Sequence, residues 1–355
     1  MTPDIYRQLQ KQLDHYSMGF PATESGIELK ILKYLFSEAD AAMFTVLTQT
    51  LETPQNVAAR LNRPVADIAT QLDEMAEKGL LFRLKKGTDS RYGAISFVHG
   101  IFEFQVKNLK SDLAKMVRRY FDEAFDKAMQ ASADYFLRII PVEESIDVNH
   151  NVASYEDAVE ILRDKPFIVI TDCICRKNAD LIDHDCGKPL EACFMFGSMG
   201  QYYIDRGMGR KISLDEAVDI LKKCQEAGLV TQPATSQNPA GMCNCCGDCC
   251  AVLRALNKHS KPAEIIFSNY FAAVEVDNCT GCETCLDRCQ MNALSINNNG
   301  LAVVNEDRCI GCGLCVTTCA TEALKLISKS EAEIRTPPAS SGEQMMLMAQ
   351  KRGLF

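Results

Sequence analysis

No cysteine precedes Cys173 in this 355-residue chain, yet 18 lie between Cys173 and Cys319. A disulfide framework rarely leaves half of a chain untouched, so this distribution argues against one. Long apolar runs are also missing. A membrane-spanning helix needs about 20 consecutive apolar residues, so no transmembrane segment is expected. The start, MTPDIYRQLQKQLDHY, lacks the apolar stretch of a signal peptide. The expected location is cytoplasmic, where thiols stay reduced. Positive charge is in deficit, with a formal net charge of −9. Nucleic-acid binding by the whole chain is therefore disfavoured, because phosphate contacts need a cationic surface. There is no glycine-rich dinucleotide fingerprint, no P-loop and no CxxCH haem site. The chain is not expected to bring a flavin or nicotinamide of its own. No residue is assigned a catalytic role. Tryptophan is absent too, which excludes nothing.

What is present suits a folded protein of two or three domains. The expected fold class is α+β and multidomain. Residues 1–100 read as one domain, a short polar helix to about residue 20 and then helix, helix, helix, hairpin over 25–100. IELKILKYLF has amphipathic helical spacing, and Thr53-Pro54 is an N-cap followed by N1 proline. PVADIATQLDEMAEKG is a further helix ended by Gly79. LLFRLKK and RYGAISFV flank the turn KGTDS. This order resembles a winged-helix domain. The second helix of its helix-turn-helix, the third of the domain, should pack Val65, Ile68, Leu72 and Met75 inward and present Asp67, Gln71, Glu74 and Lys78 outward. Two carboxylates on that outer face oppose phosphate, and residues 1–110 hold 13 basic and 13 acidic side chains. Arg83, Lys85, Lys86 and Arg91 would make the hairpin basic. Docking to a partner protein is favoured over DNA binding.

Residues 101–165 read as a helical connector. In residues 166–265, a cysteine-rich mixed α/β domain, FIVIT is a buried strand leading into Asp172-Cys-Ile-Cys-Arg176. KPLEACFMFGSMGQYYIDRG reads as helical, with Cys193 at its start. Ser213 and Glu216 form a capping box before DEAVDILKKCQEAG. GMCNCCGDCC, residues 241–250, packs five cysteines into a few residues. Residues 331–355 read as a tail, either a mobile arm or a helix for a partner.

The strongest signal is repeated. Cys279-x-x-Cys282-x-x-Cys285-x-x-x-Cys289 is followed thirty residues on by Cys309-x-x-Cys312-x-x-Cys315-x-x-x-Cys319. The pair resembles the bacterial two-cluster ferredoxin over residues 266–330. That resemblance implies two [4Fe-4S] clusters. Cys279, Cys282, Cys285 and Cys319 would hold one, and Cys309, Cys312, Cys315 and Cys289 the other. Gly281, Gly311 and Gly313 would permit close backbone approach. The chain departs from the pattern after each fourth cysteine, where Gln290 and Ala320 replace proline.

Nine further thiols read as metal ligands: Cys173, Cys175, Cys186, Cys193, Cys243, Cys245, Cys246, Cys249 and Cys250. In an extended chain Cys173 and Cys175 share a face. Cys224 fits core packing. Spacing alone does not partition the nine. Cys173, Cys175, Cys186 and Cys193 could hold one cubane and the dense group another, or the two groups could share one. A zinc site and free redox thiols are the alternatives. The arrangement resembles a domain of anaerobes' iron–sulfur proteins, in which CxCR and CNCC-rich segments precede a ferredoxin-like pair. One or two further clusters are expected here, with Arg176 balancing their charge. His184 reads as a surface residue. The expected role is single-electron transfer to a redox partner, such as a flavoprotein oxidoreductase, rather than stand-alone catalysis. The alternatives are a reductase with a catalytic central cluster and a redox-sensing winged-helix regulator.

Overall fold

The computed structural model describes residues 4–142, 145 and 154–354. The first three residues of the polar start, most of 143–153 in the connector, and Phe355 of the tail lie outside the described residues.

Five helices open the chain: α1 (Ile5–Asp14), α2 (Ile27–Leu35), α3 (Glu38–Val46), α4 (Pro54–Leu61) and α5 (Val65–Glu77). Their ends follow local chemistry. Ser37 and Asp40 form a reciprocal capping box on α3. Thr53 Oγ1 accepts the Asn56 N–H at 3.3 Å, with Pro54 in the first turn of α4. Strands β1 (Phe82–Lys86) and β2 (Asp89–Gly93) form an antiparallel hairpin. Ile68, Leu72 and Met75 of α5 are fully buried, but Val65 is 43% exposed. It occupies the first turn, beyond the reach of the core. Arg83 is not part of a basic hairpin surface. It is buried and bridges Asp73 and Glu77 at 3.0 and 2.8 Å, so its charge is spent internally.

Helix α6 (Ser111–Tyr120) runs through a wider turn at Phe121–Phe125 into α7 (Asp126–Phe136). Then come α8 (Ala158–Arg163), β3 (Ile168–Asp172), α9 (Ile174–Asp180), β4 (Glu191–Phe196), α10 (Gly197–Asp205), β5 (Gly209–Ile212), α11 (Leu214–Glu226), β6 (Val230–Pro233) and β7 (Gly241–Cys245). The five strands make one antiparallel sheet in the order β5-β3-β4-β7-β6. The segment read as a single helix is thus a strand and a helix. Residues 192–196 of β4 are largely covered on both faces, so their apolar run carries no period that separates strand from helix. Gly197, at φ +51°, makes the break. Alternation places Ile168, Ile170, Phe194 and Met242 against α8 and α11. Val169, Met195, Cys243 and Cys245 face the other way, toward the N-terminal half.

The remainder comprises α12 (Ala251–Lys258), α13 (Pro262–Ile265), β8 (Tyr270–Val274), α14 (Thr284–Arg288), β9 (Leu294–Ile296), β10 (Ala302–Val304), β11 (Leu324–Ser328) and α15 (Ser341–Lys351). Strand β8 pairs with β11 and β9 with β10, both antiparallel. The tail residues of α15 dock on the chain itself. Gln344 Nε2 donates to the Tyr135 and Phe136 carbonyls of α7, and Arg352 Nη2 to the Asp14 carbonyl. Among the described residues no helix is long and apolar enough to cross a membrane.

Candidate metal centres

All 18 cysteines are free thiols. Two cavities lie in the C-terminal part. One, of about 360 Å³, is lined by Cys279, Cys282, Cys285 and Cys319. The other, of about 390 Å³, is lined by Cys289, Cys309, Cys312 and Cys315. Each set draws its fourth cysteine from the other run. Gly281 and Gly311 sit at φ +67° and +66°. A side chain at either would overlap a backbone carbonyl oxygen, of Gly300 or Tyr270 respectively. The Ala272 N–H points at Cys309 Sγ (3.3 Å), Ala293 N–H at Cys289 Sγ (3.2 Å) and Ala302 N–H at Cys279 Sγ (3.4 Å). The two sets differ at their second cysteine. Cys282 is exposed, and hydrogen bonds from Thr284 hold its thiol low. Burial instead raises Cys309 and pushes Cys312 up to about 12.

Six central thiols form a closed ring. In order they are Cys173, Cys175, Cys250, Cys245, Cys243 and Cys193, each thiol interacting with its two neighbours. The sheet builds half of it. Cys193 of β4 lies directly across from Cys243 of β7, and Cys245 follows two residues on along the same face. Helix starts supply the rest. Cys173 and Cys250 are the N-caps of α9 and α12, where the partial positive charge of a helix start favours a thiolate. Cys175 is not in an extended chain with Cys173, as expected from spacing, but in the first turn of α9. Adjacent sulfurs cannot all be charged. Cys173, Cys243 and Cys250 are held well below the ordinary thiol value by hydrogen bonds from their neighbours. The alternate three are pushed well above it by the same bonds.

All six ring cysteines line a cavity of about 630 Å³ whose other walls include Phe102, Phe121, Phe125 and Met195. His99, Glu103 and Tyr203 line it too; no spacing or motif in the sequence marks them. His99 stacks on Phe136 at 4.5 Å between ring centroids. Burial by itself would lower its imidazole, but a hydrogen bond to Cys243 and nearby negative charge raise it to about 9. Burial raises Glu103 to about 7, against the pull of His99. Arg176 is buried, and its Nη1 donates to the Asn244 carbonyl at 3.1 Å. Among the described residues its Nε and Nη2 are buried with no hydrogen-bond partner. Burial opposes its charge, yet Cys173, Cys193, Cys245 and Cys246 raise its pKa well above the ordinary value. An orphaned guanidinium edge beside crowded thiols fits an anionic metal–sulfur group.

The other three central ligand candidates separate from the ring. Cys186, in the loop before β4, meets Cys246 and Cys249 of the turn after β7, and Asp248 joins them. Cys186 is therefore not grouped with Cys173, Cys175 and Cys193. His184 is half-exposed, its Nε2 3.9 Å from Asp248 Oδ2. Cys224 is fully buried between α11 and this turn, and burial pushes its thiol up to about 12.

Gln290 joins the two regions. Its Oε1 accepts the Gly247 N–H at 2.7 Å, and its carbonyl accepts from Asn257 Nδ2 at 2.8 Å. The residue that replaces proline after Cys289 is thus an anchor. The Val142 N–H donates to the Cys312 carbonyl at 3.1 Å. One apolar core runs from the ring cysteines Cys245 and Cys250 to Ile310 and Leu314 beside the second cavity.

Residues 258–324 match a protein family described as a 4Fe-4S dicluster domain, a span that holds both four-cysteine runs. Comparison with curated proteins and with solved structures finds no match for this chain.

Proposed function

We propose that this iron–sulfur protein relays single electrons between a redox partner and a cluster held by the six-thiol ring. In this reading Cys279, Cys282, Cys285 and Cys319 hold a surface cluster that meets the partner. Cys289, Cys309, Cys312 and Cys315 hold an inner one, and the ring holds the last. Bound clusters supply one-electron chemistry; the chain supplies position, charge and exclusion of water. The observation that carries the proposal is the ring of six cysteines sharing a core with the inner dicluster cavity. Six thiols exceed the four that one cubane takes. Arg176 offsets the negative charge of the group they hold. The exposed Cys282 supports electron exchange at the surface, and a flavoprotein oxidoreductase in the cytoplasm of an anaerobe suits a chain without a flavin motif.

A second reading rests on His99, Glu103 and Tyr203 in the ring's cavity. Groups that hold or move a proton beside a reduced cluster would make the centre a reductase. No comparable observation favours the DNA-reading regulator, since Arg83 is spent internally.

The test is iron and acid-labile sulfide on protein purified without oxygen. Two dicluster cubanes account for about eight irons per chain. The relay requires more than eight, and a Cys193→Ala, Cys243→Ala double variant must lower the count to the dicluster share. A count of eight in the unmodified chain would confine the clusters to the C-terminal domain and end the proposal. A small molecule that changes the central cluster's spectrum, and loses that effect in Glu103→Gln, would favour the reductase.

A further inference from the structure

GMCNCCGDCC sends its thiols to two places. Cys243, Cys245 and Cys250 turn into the ring, whereas Cys246 and Cys249 turn the other way. A strand followed by a tight turn does this, because successive side chains of β7 point to opposite faces. Cys246 and Cys249, with Asp248 between them, meet Cys186 from the loop that precedes β4. One ligand atom from each of the four residues lies within 4.8 Å of every other.

That closeness decides the nuclearity. Ligands of a single zinc ion sit about 2.3 Å (sulfur) and about 2.0 Å (oxygen) from it, which puts tetrahedral neighbours roughly 3.5–4 Å apart. A cubane carries its ligands on separate irons at its corners, so they spread wider. The chain contains its own comparison. Among the described residues no other set of three His, Cys, Asp or Glu ligand atoms is mutually this close, and that includes both dicluster sets. We infer that Cys186, Cys246, Asp248 and Cys249 form a mononuclear zinc site, separate from every iron–sulfur cluster.

Four protein ligands close the coordination shell, as in structural rather than catalytic zinc sites. Binding takes the three thiols as thiolates and releases their protons to solvent. Nothing is oxidised or reduced. The two halves of the site are sixty residues apart in sequence, so the ion staples the loop before β4 to the turn after β7. That turn is also held by Gln290 of the dicluster domain through the Gly247 N–H. The ion thus fixes the seam between the central sheet and the dicluster domain.

The site stands independently of the relay, because its readout is zinc and the relay's is iron. Zinc and iron are counted by mass spectrometry on the full chain purified without oxygen. The zinc shell is read by X-ray absorption at the zinc edge. The expected result is one zinc per chain with three sulfurs and one oxygen. Cys186→Ser should lose the zinc and keep its iron. Asp248→Ala should keep three sulfurs on zinc but surrender the ion to a chelator at least about ten-fold faster. A protein without zinc, or a zinc shell of nitrogen and oxygen only, overturns the site. So does a Cys186→Ser variant that loses about four irons, which would assign these thiols to a cubane. An unchanged shell and release rate in Asp248→Ala overturns the four-ligand site.

Discussion

Arg176 and Cys224 lie near the same thiols and do opposite things. Among the described residues the buried Arg176 guanidinium leaves two nitrogens unpartnered, so what it offers the proposed central cluster is charge. Arg176→Gln removes that charge. The expected result is a more negative midpoint potential for the central cluster, read by anaerobic titration, with the dicluster potentials unmoved. An unchanged central potential would mean that the guanidinium only packs. Cys224 belongs neither to the ring nor to the group around Cys186. Burial raises its thiol to about 12, above an ordinary value of 9. For a group raised on folding, the stability it lends is complete below the unfolded value and is lost as pH climbs through the folded one. Cys224 therefore adds no pH dependence near neutrality. Cys224→Ala should cost about 1 kcal/mol of stability and leave every metal in place. Loss of iron or zinc in that variant would make Cys224 a ligand.

Elements carry the ligands into register. The antiparallel pair β4 and β7 sets Cys193 opposite Cys243, and no single strand could do so. Helices α9 and α12 each begin at a ring cysteine, so their starts favour thiolate where the proposed central cluster would bind. The turn between β7 and α12 is held by Gln290 from beyond α14. Gln290→Ala leaves the Gly247 N–H without its partner and should cost about 1 kcal/mol. The effect beyond stability is the informative one. Electron passage from the dicluster domain to the centre should slow, measured by rapid-mixing spectroscopy, while iron content holds. Unchanged passage would show that the seam tolerates loosening.

At the scale of the whole molecule, the two four-cysteine sets differ at one exposed ligand, and that difference would give the proposed relay its entry point. Cys282 of one set is exposed, whereas Cys312, at the matching position of the other, is only partly accessible. Cys282→Ser should therefore slow reduction of the central cluster by an external flavoprotein donor, with the ring's iron intact. Equal rates in the variant would place the entry point elsewhere. The N-terminal half contributes to the same object rather than standing apart. His99 and Glu103 line the ring's cavity, and Tyr202 Oη of α10 donates to the Ala76 and Leu81 carbonyls around the end of α5. Helix α15 returns to α7 and to the end of α1.

The sequence alone determined the dicluster domain, because four ligands at short fixed intervals, repeated, meet only one structural demand. It also determined the cap of α4 and the hairpin β1–β2, both of which depend on neighbours within a few positions. It gave no partition of the nine central thiols. Their grouping depends on which strand lies beside which, and on the face that each cysteine takes when a strand gives way to a turn. Those are long-range facts. Cys186 and Cys193 are close in the chain but go to different sites, while Cys193 and Cys243 are fifty residues apart and adjacent in space. His99 and Glu103 carry no local signature, and only the packing of the N-terminal half against the sheet brings them to the sulfur ring.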